Sequence, residues 1–451
     1  MSQPGPTLAP TSTRRAVLNT ARGSAGNLVE WYDVYVYTVF ASYFEAQFFD
    51  KADTNSTVYI YAIFAVTFVM RPVGSWFFGR YADRRGRKSA LMLSISVMSA
   101  CSFIVAVMPT REVIGYWAAV VLILARLVQG FATGGEYGTS ATYMSEAATA
   151  NRRGFLSSFQ YVTLIGGHVL AQLTLLVSLH FLDTEALSAW GWRIGFFIGG
   201  IAALVVLWIR RSMDESLSEA HLETVRAGKD PSAGSMKALF TVHWRSLLLV
   251  FLITAGGTVA FYTYSINAPA IVKSTFGSDR ALTATWINLL GLIFLMLLQP
   301  LGGLLSDRVG RKPLLVFFGV GGVLYTWVLL TYLPQTTSVV WAFLLLAVGY
   351  VIITGYTSVN AIVKAELFPA EIRALGVGLG YALANSAFGG TAPMLYQAAK
   401  PDHVTLFIVY VTVVIGVSLL VYVFALKNKG ITVLDREQGS AWAGVRAVTP
   451  H

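Results

Sequence analysis

Charge is what this sequence has least of. Asp, Glu, Lys and Arg make up 12% of its 451 residues, against about a quarter in soluble domains. Hydrophobic residues reach 55% and mean hydropathy is +0.62. That balance excludes a water-soluble fold. A soluble domain on a single anchor is excluded too. The longest polar stretches, the N-terminal 22 residues and about Arg210 to Arg245, are too short for a core of their own. Cysteine is nearly absent. Cys101 stands alone in an apolar run, so no intrachain disulfide can form, and it reads as a small buried hydrophobe. Enzyme signatures are missing as well: HExxH, GxxxxGK[ST], CxxC and GxSxG do not occur. The glycines of GGEYG and GGVLYT fall inside apolar runs rather than phosphate loops. The expectation is a protein that is not an enzyme and carries no cofactor and no metal.

Long apolar runs are abundant. A membrane-crossing helix needs about 20 mostly apolar residues. Such runs fall at about 24–45, 58–79, 89–109, 115–140, 158–181, 192–210, 246–271, 282–305, 312–333, 338–361, 374–397 and 404–426. Twelve spans place both termini on one side of the membrane. Net charge is +10, but the positives are scattered in short clusters between spans, which argues against nucleic acid. Arg84, Arg85, Arg87 and Lys88, Arg152 and Arg153, Arg210 and Arg211, Arg308, Arg311 and Lys312, and Lys427 and Lys429 fall in the even-numbered loops and the tail. The opposite loops hold isolated positives such as Lys51, Arg111, Arg280 and Lys400. By the positive-inside rule the crowded side is cytoplasmic. The first residues, rich in Pro, Thr and Ser, read as a disordered cytoplasmic tail rather than a cleavable signal.

The chain repeats itself. Residues 79–88 read GRYADRRGRK and 303–312 read GLLSDRVGRK. Glu146 and Arg153 of SEAATANRR match Glu366 and Arg373 of AELFPAEIR after the fourth and tenth spans. Two motif pairs in register imply a duplicated six-span unit. The expected division is a tail at 1–22, a six-helix bundle at 23–210, a linker at 211–245, a second bundle at 246–426 and a tail at 427–451.

The GxxxDRxGRK loop between spans two and three resembles the signature of the major facilitator superfamily. The stretches GNLVEWYDVYVY, FVMRPVGSWFFGRYADRRGRK, ARLVQGFATGGEYGTSATYMSEA, SFQYVTLIGG, WGWRIGF and ELFPAEIRALGVGLGYALANSAFGG resemble its metabolite:proton symporter family, and within it the α-ketoglutarate permeases. The resemblance implies an all-α fold of two pseudo-symmetric six-helix bundles in the inner membrane. It implies proton-coupled import of a small dicarboxylate by alternating access, with α-ketoglutarate the leading candidate. The alternative is the same scaffold carrying citrate, shikimate or a betaine-type osmolyte. The partners implied are an anionic small molecule, protons and the lipid bilayer, with the protein a monomer. The resemblance also implies that Asp83, Arg84 and Arg87, with Asp307, Arg308 and Arg311 in the second copy, latch the halves together, joined by Arg153 and Arg373.

Ionisable groups inside a membrane are costly and mark function by default. Glu30 and Asp33 share one face of the first span, which Asn27 and Tyr37 extend. Like charges this close, away from water, let one carboxyl keep a proton, as proton coupling needs. The alternative is permanent pairing with buried arginines. Arg71 precedes Pro72, and Arg126 shares a face with Gln129, Thr133 and Tyr137. Two arginine forks suit a substrate with two carboxylates, although Arg71 could instead pair with the first-span acids as a gate. Glu136 is either a second proton carrier or an interhelix anchor. Gln160 and Tyr161 read as polar lining, as do Tyr262, Tyr264 and Asn267 of a kinked seventh span, Asn360, and Asn385 of the eleventh. Arg193 either snorkels to the interface or touches substrate. His168 invites a relay role, but the resembling permeases tend to carry glutamine there. The second half reads as poor in intramembrane charge.

Overall fold

A computed structural model describes residues 13–49, 56–148, 152–217, 219–227, 233–277, 280–399, 402–428 and 432–437. Its spans are Thr13–Phe48 (span 1), Ser56–Val69 followed by Arg71–Arg85 (span 2), Arg87–Val107 (span 3), Trp117–Ala147 (span 4), Arg153–Phe181 (span 5) and Trp192–Arg211 (span 6). The second half consists of Trp244–Phe276 (span 7), Ala281–Val309 (span 8), Arg311–Tyr332 (span 9), Val339–Thr357 with Asn360–Ala365 (span 10), Arg373–Ala384 running on to Ala392–Ala399 (span 11) and Val404–Phe424 (span 12). Among the described residues, ten helices are long and apolar enough to cross a membrane. Spans 1 and 11 are the other two. Span 1 is diluted by Asn27, Glu30 and Asp33, and span 11 is broken near Gly390. Span 1 is buried along most of its length, whereas span 11 is buried over residues 373–382 and partly exposed beyond them.

The halves meet through span 2 against span 11 and span 5 against span 8. Small residues make the approach possible. A Cβ on Gly138 would stand 2.4 Å from the Cα of Gly378, so the backbones of spans 4 and 11 touch across the interface. Within the first half, a Cβ on Gly74 would lie 1.8 Å from the Phe131 carbonyl, which seats span 2 on span 4. Two π-helical turns, Thr263–Asn267 and Asn385–Gly389, interrupt spans 7 and 11. Such turns often mark functional positions. In span 7 the π-helical turn ends two residues before Pro269.

The termini depart from the expected tails. Helix begins at Thr13, inside the segment read as disordered; residues 1–12 lie outside the described residues. At the other end Val433–Glu437 is a short helix, with Leu434 and Asp435 buried. Its acids are ion-paired: Asp435 to Arg153 and Glu437 to Arg373. The remainder of that tail, from 438, is outside the described residues, as are Lys51, Lys400 and Lys429. The linker packs onto the same end. Arg84 Nε donates to the Ala233 carbonyl at 3.0 Å, and Glu215 accepts from the backbone N–H groups of Arg87 and Lys88 at 2.9 and 3.1 Å.

Candidate functional site

The first half holds its charges in a connected core. Asp33 Oδ2 accepts from Arg126 Nη1 at 3.1 Å, and Oδ1 accepts from Ser102 Oγ at 2.7 Å. Gln129 closes the ring, accepting from Arg126 at 2.7 Å and donating to Ser102 at 3.2 Å. The guanidinium lies 4.3 Å above the Tyr37 ring, while its Nε and Nη2 are buried without a hydrogen-bond partner. A planar fork with one arm on a carboxylate and another unused can exchange one carboxylate for another. Glu30, one turn before Asp33, is buried with neither oxygen hydrogen-bonded. Glu136 is ion-paired with Arg210 and accepts from Ser94 at 2.8 Å, which is the geometry of an anchor between spans 3, 4 and 6.

The wall between the halves is built from aromatic hydroxyls and cations. Arg71 opens the second segment of span 2, where the helix dipole disfavours a cation. It is buried 4.0 Å over the Phe68 ring and 5.1 Å over Trp31, with Nε and Nη2 unpartnered. The Tyr262 hydroxyl of span 7 faces both Arg71 and Asn385. Towards the latch loops, Asn360 donates to the hydroxyls of Tyr137 at 2.7 Å and Tyr161 at 3.2 Å, bridging the halves. Tyr137 stacks on Tyr381 with ring centroids 3.5 Å apart. Lys364 completes this group: its Nζ donates to Tyr137 at 3.2 Å and lies 4.4 Å over the Tyr381 ring. The expectation of a second half poor in intramembrane charge is therefore corrected, because Lys364 is fully buried at the base of span 10.

In both copies of the repeated motif the aspartate reaches across to the other half. Asp83 accepts from Ala374 and Leu375 N–H at 3.1 and 3.0 Å, capping span 11, and pairs with Arg87. Arg87 also donates to Glu146 at 3.2 Å and to the Ala370 carbonyl at 2.8 Å, while Arg373 donates to Glu146 at 2.8 Å. In the second copy Asp307 accepts from Gly154 and Phe155 N–H at 2.8 and 2.9 Å, capping span 5, and Arg311 donates to it at 2.8 Å. Negative charge at a helix N-terminus is the favourable arrangement. Arg308 is exposed, and Arg84 contacts the linker rather than the opposite half. At the far end a cavity of about 830 Å³ opens between spans 1, 2 and 4, lined by Phe48, Tyr59, Ile63 and Val66.

The remaining expected residues lie elsewhere. Gln160 is occupied in helix packing, donating to Asn27 Oδ1 at 3.0 Å and accepting from Ser140 at 3.0 Å. Arg193 ties the carbonyls of Ala106 and Met108, both at 2.8 Å, to the outer end of span 6. His168 is stacked on Tyr35 with centroids 3.8 Å apart. Arg210, counted by sequence among the cytoplasmic positives, is buried against Glu136. Asn267 donates to the Ala392 carbonyl at 3.4 Å.

The sequence profile described as "Sugar (and other) transporter" matches residues 20–438. The chain is 44% identical over 416 residues to the alpha-ketoglutarate permease of Escherichia coli K12, covering 92% of this chain and 94% of that protein. It is 29% identical to the citrate-proton symporter of Klebsiella pneumoniae, covering 84% of each, and 29% identical to the proline/betaine transporter of Escherichia coli K12, covering 88% and 82%. Its fold matches the proton:xylose symporter XylE, a major facilitator superfamily protein, with a TM-score of 0.79, 18% identity and coverage of 95% and 99%.

Proposed function

Because the chain belongs to the sugar (and other) transporter family of the major facilitator superfamily, we propose that it imports a small dicarboxylate with protons, α-ketoglutarate first among them. Similarity to the alpha-ketoglutarate permease along almost the full length supports that substrate. The observation that carries the mechanism is the Asp33–Arg126 pair, an ion pair with one guanidinium edge unspent. Protonation of Asp33 releases Arg126 to a substrate carboxylate, and Arg71 offers the second fork. Each negative charge entering an inside-negative cell costs about 2.3 kcal/mol per 100 mV, so a dianion needs about two protons to cross without net charge. Glu30 and Asp33 are the carriers, and Glu136 serves as the anchor for Arg210.

The protein works in the inner membrane as a monomer, with latch loops and both termini cytoplasmic. Residues 23–210 and 246–426 rock against each other about the linker at 211–245. The closed latches then correspond to a cytoplasmic side that is shut.

Uptake of radiolabelled α-ketoglutarate into proteoliposomes, with and without an imposed pH gradient, tests this reading. Wild type accumulates the label only with the gradient. Asp33→Asn loses accumulation but keeps counterflow exchange, and Arg126→Ala loses both. Gradient-driven accumulation by Asp33→Asn at wild-type level would refute the coupling assignment. Competition by citrate or betaine, but not by α-ketoglutarate, would move the substrate to another branch of the family.

A further inference from the structure

Lys364 is a buried amine to which, among the described residues, the fold supplies no counterion. Its side chain has no measurable exposure, and among the described residues it forms no ion pair with a carboxylate. Its surroundings are the rings of Tyr137, Tyr381 and Tyr356 at 5.1, 4.4 and 5.9 Å, and one hydrogen bond to the Tyr137 hydroxyl. A desolvated ammonium held only by ring faces and a phenol is expensive unless something anionic visits it.

Its position adds a second, independent fact. Tyr137 belongs to span 4 in the first half, whereas Lys364, Tyr356 and Tyr381 belong to the second. Among the described residues, the hydrogen-bond acceptor of Lys364 therefore lies across the interface, and Asn360 crosses to the same hydroxyl. Separation of the halves on the latch side strips Lys364 of that acceptor. Nearby polar atoms are also unspent: Asn360 Oδ1 and Tyr356 Oη are buried without partners. Tyr381 joins Lys364 to the wall: its ring lies under the Lys364 Nζ and stacks on Tyr137.

We infer that Lys364, with Tyr381 and Asn360, is a carboxylate-binding position of the second half, occupied by one end of a dicarboxylate as the latch side opens. Arg71 holds the other end, so that the carboxylate taken up by Arg126 passes to Lys364 as the halves move. The halves are thereby bridged by the ligand when Tyr137 no longer bridges them. The inference deepens the reading of an anionic substrate and rests on it.

The test is ligand-dependent thermal stabilisation of purified protein, comparing wild type, Lys364→Gln and Lys364→Arg. The probes are α-ketoglutarate, citrate, betaine and the monocarboxylate 2-oxobutyrate. Loss of a charge-assisted contact predicts that Lys364→Gln binds α-ketoglutarate about 10- to 100-fold more weakly. Binding of 2-oxobutyrate changes by less than threefold, and Lys364→Arg recovers most of the dicarboxylate affinity. Equal affinity of Lys364→Gln and wild type for α-ketoglutarate overturns the inference. So does an equal loss for mono- and dicarboxylate, or a loss that Lys364→Arg does not repair. If wild type is stabilised by citrate and not by α-ketoglutarate, and Lys364→Gln abolishes that, the proposed substrate falls while the site stands. If only betaine stabilises wild type, both fall.

Discussion

Asp83 is the residue whose removal should change the balance of states most cleanly. It accepts two backbone N–H groups of span 11, at 3.1 and 3.0 Å, and pairs with Arg87, all fully buried. The two backbone bonds cross between the halves, so they exist only while the latch side is shut. Hydrogen bonds to a charged group contribute about 1.5–3 kcal/mol each. Asp83→Asn keeps one acceptor oxygen and loses the charge, so one bond goes and the other weakens. The shut state then loses about 2–3 kcal/mol relative to the open one, a shift of about 30- to 150-fold. Ser75 reports on this. It is buried on span 2 with its Cβ 3.6 Å from the position a Cβ on Gly378 of span 11 would take. In a Cys101→Ser background, Ser75→Cys reacts with a maleimide only when that seam parts. Its labelling rate should rise 30- to 150-fold on adding Asp83→Asn. Asp307→Asn should raise it less, about tenfold, because Asp307 and Arg311 are 7% and 15% exposed and water replaces part of what is lost. A rate within threefold of the parent, in a protein that still melts cooperatively, would refute the latch energetics.

Three further outcomes follow from the same end of the molecule. Gly138→Leu places a side chain where the Gly378 Cα lies 2.4 Å from a Cβ, so it should hold the Ser75→Cys reporter permanently reactive and abolish uptake. Truncation before Thr432 removes the Asp435–Arg153 and Glu437–Arg373 pairs, and the same reporter should speed up by at least about tenfold, since breaking a buried pair costs about 3–5 kcal/mol; an unchanged rate would mean that the docked tail adds nothing. Burial lifts the Glu215 carboxyl above its ordinary 4.5, against the pull of Arg87 and the backbone N–H groups it caps. A carboxyl raised in the folded state favours folding below its unfolded value and loses that contribution as pH rises through the folded one. The melting temperature of wild type should therefore decline more steeply as pH rises above 4.5 than that of Glu215→Gln, and parallel curves would refute the assignment.

Periodicity and repetition made the scaffold legible. The twelve apolar runs match the helices, and the paired GRYADRRGRK and GLLSDRVGRK loops lie where the halves clasp. The candidate acids and arginines were legible as residues because charge in a membrane span is rare. Their partners were not. Asp33 and Arg126 are 93 positions apart, and Glu136 and Arg210 are 74 apart. Nothing in local sequence chooses between Arg71, Arg126 and Arg210 as the mate of a given acid. Proximity after packing makes that choice. Arg210 stood next to Arg211 at a span end and so read as topology, whereas one of the pair turns inward and the other stays exposed. Lys364 was lost for a related reason. It follows the apolar run of span 10 and precedes Glu366, which suggests a loop, but the helix resumes at Asn360 and carries it back between the halves.

The two latches look alike in sequence and differ in what surrounds them, and that difference assigns them different work. Asp83 is joined by Arg87, Glu146 and Arg373, all fully buried, and beyond them by Glu437 at 10% exposure, charges that alternate in sign and span both halves and the C-terminal helix. Asp307 has Arg311, with Glu366 3.8 Å beyond it and water within reach. Removing one member of a dry network leaves an uncompensated charge, whereas removing one from a wetted pair leaves a solvated one. The first latch should thus open in a single cooperative step and the second by degrees. The seam between spans 2 and 11 then sets the height of the barrier, and the seam between spans 5 and 8 acts as the hinge side. The wall fits this order. Arg71 on span 2 and Tyr381 on span 11 straddle the cooperative seam. A dianion bound at the proposed site would therefore act on the contact that decides whether the latch side opens.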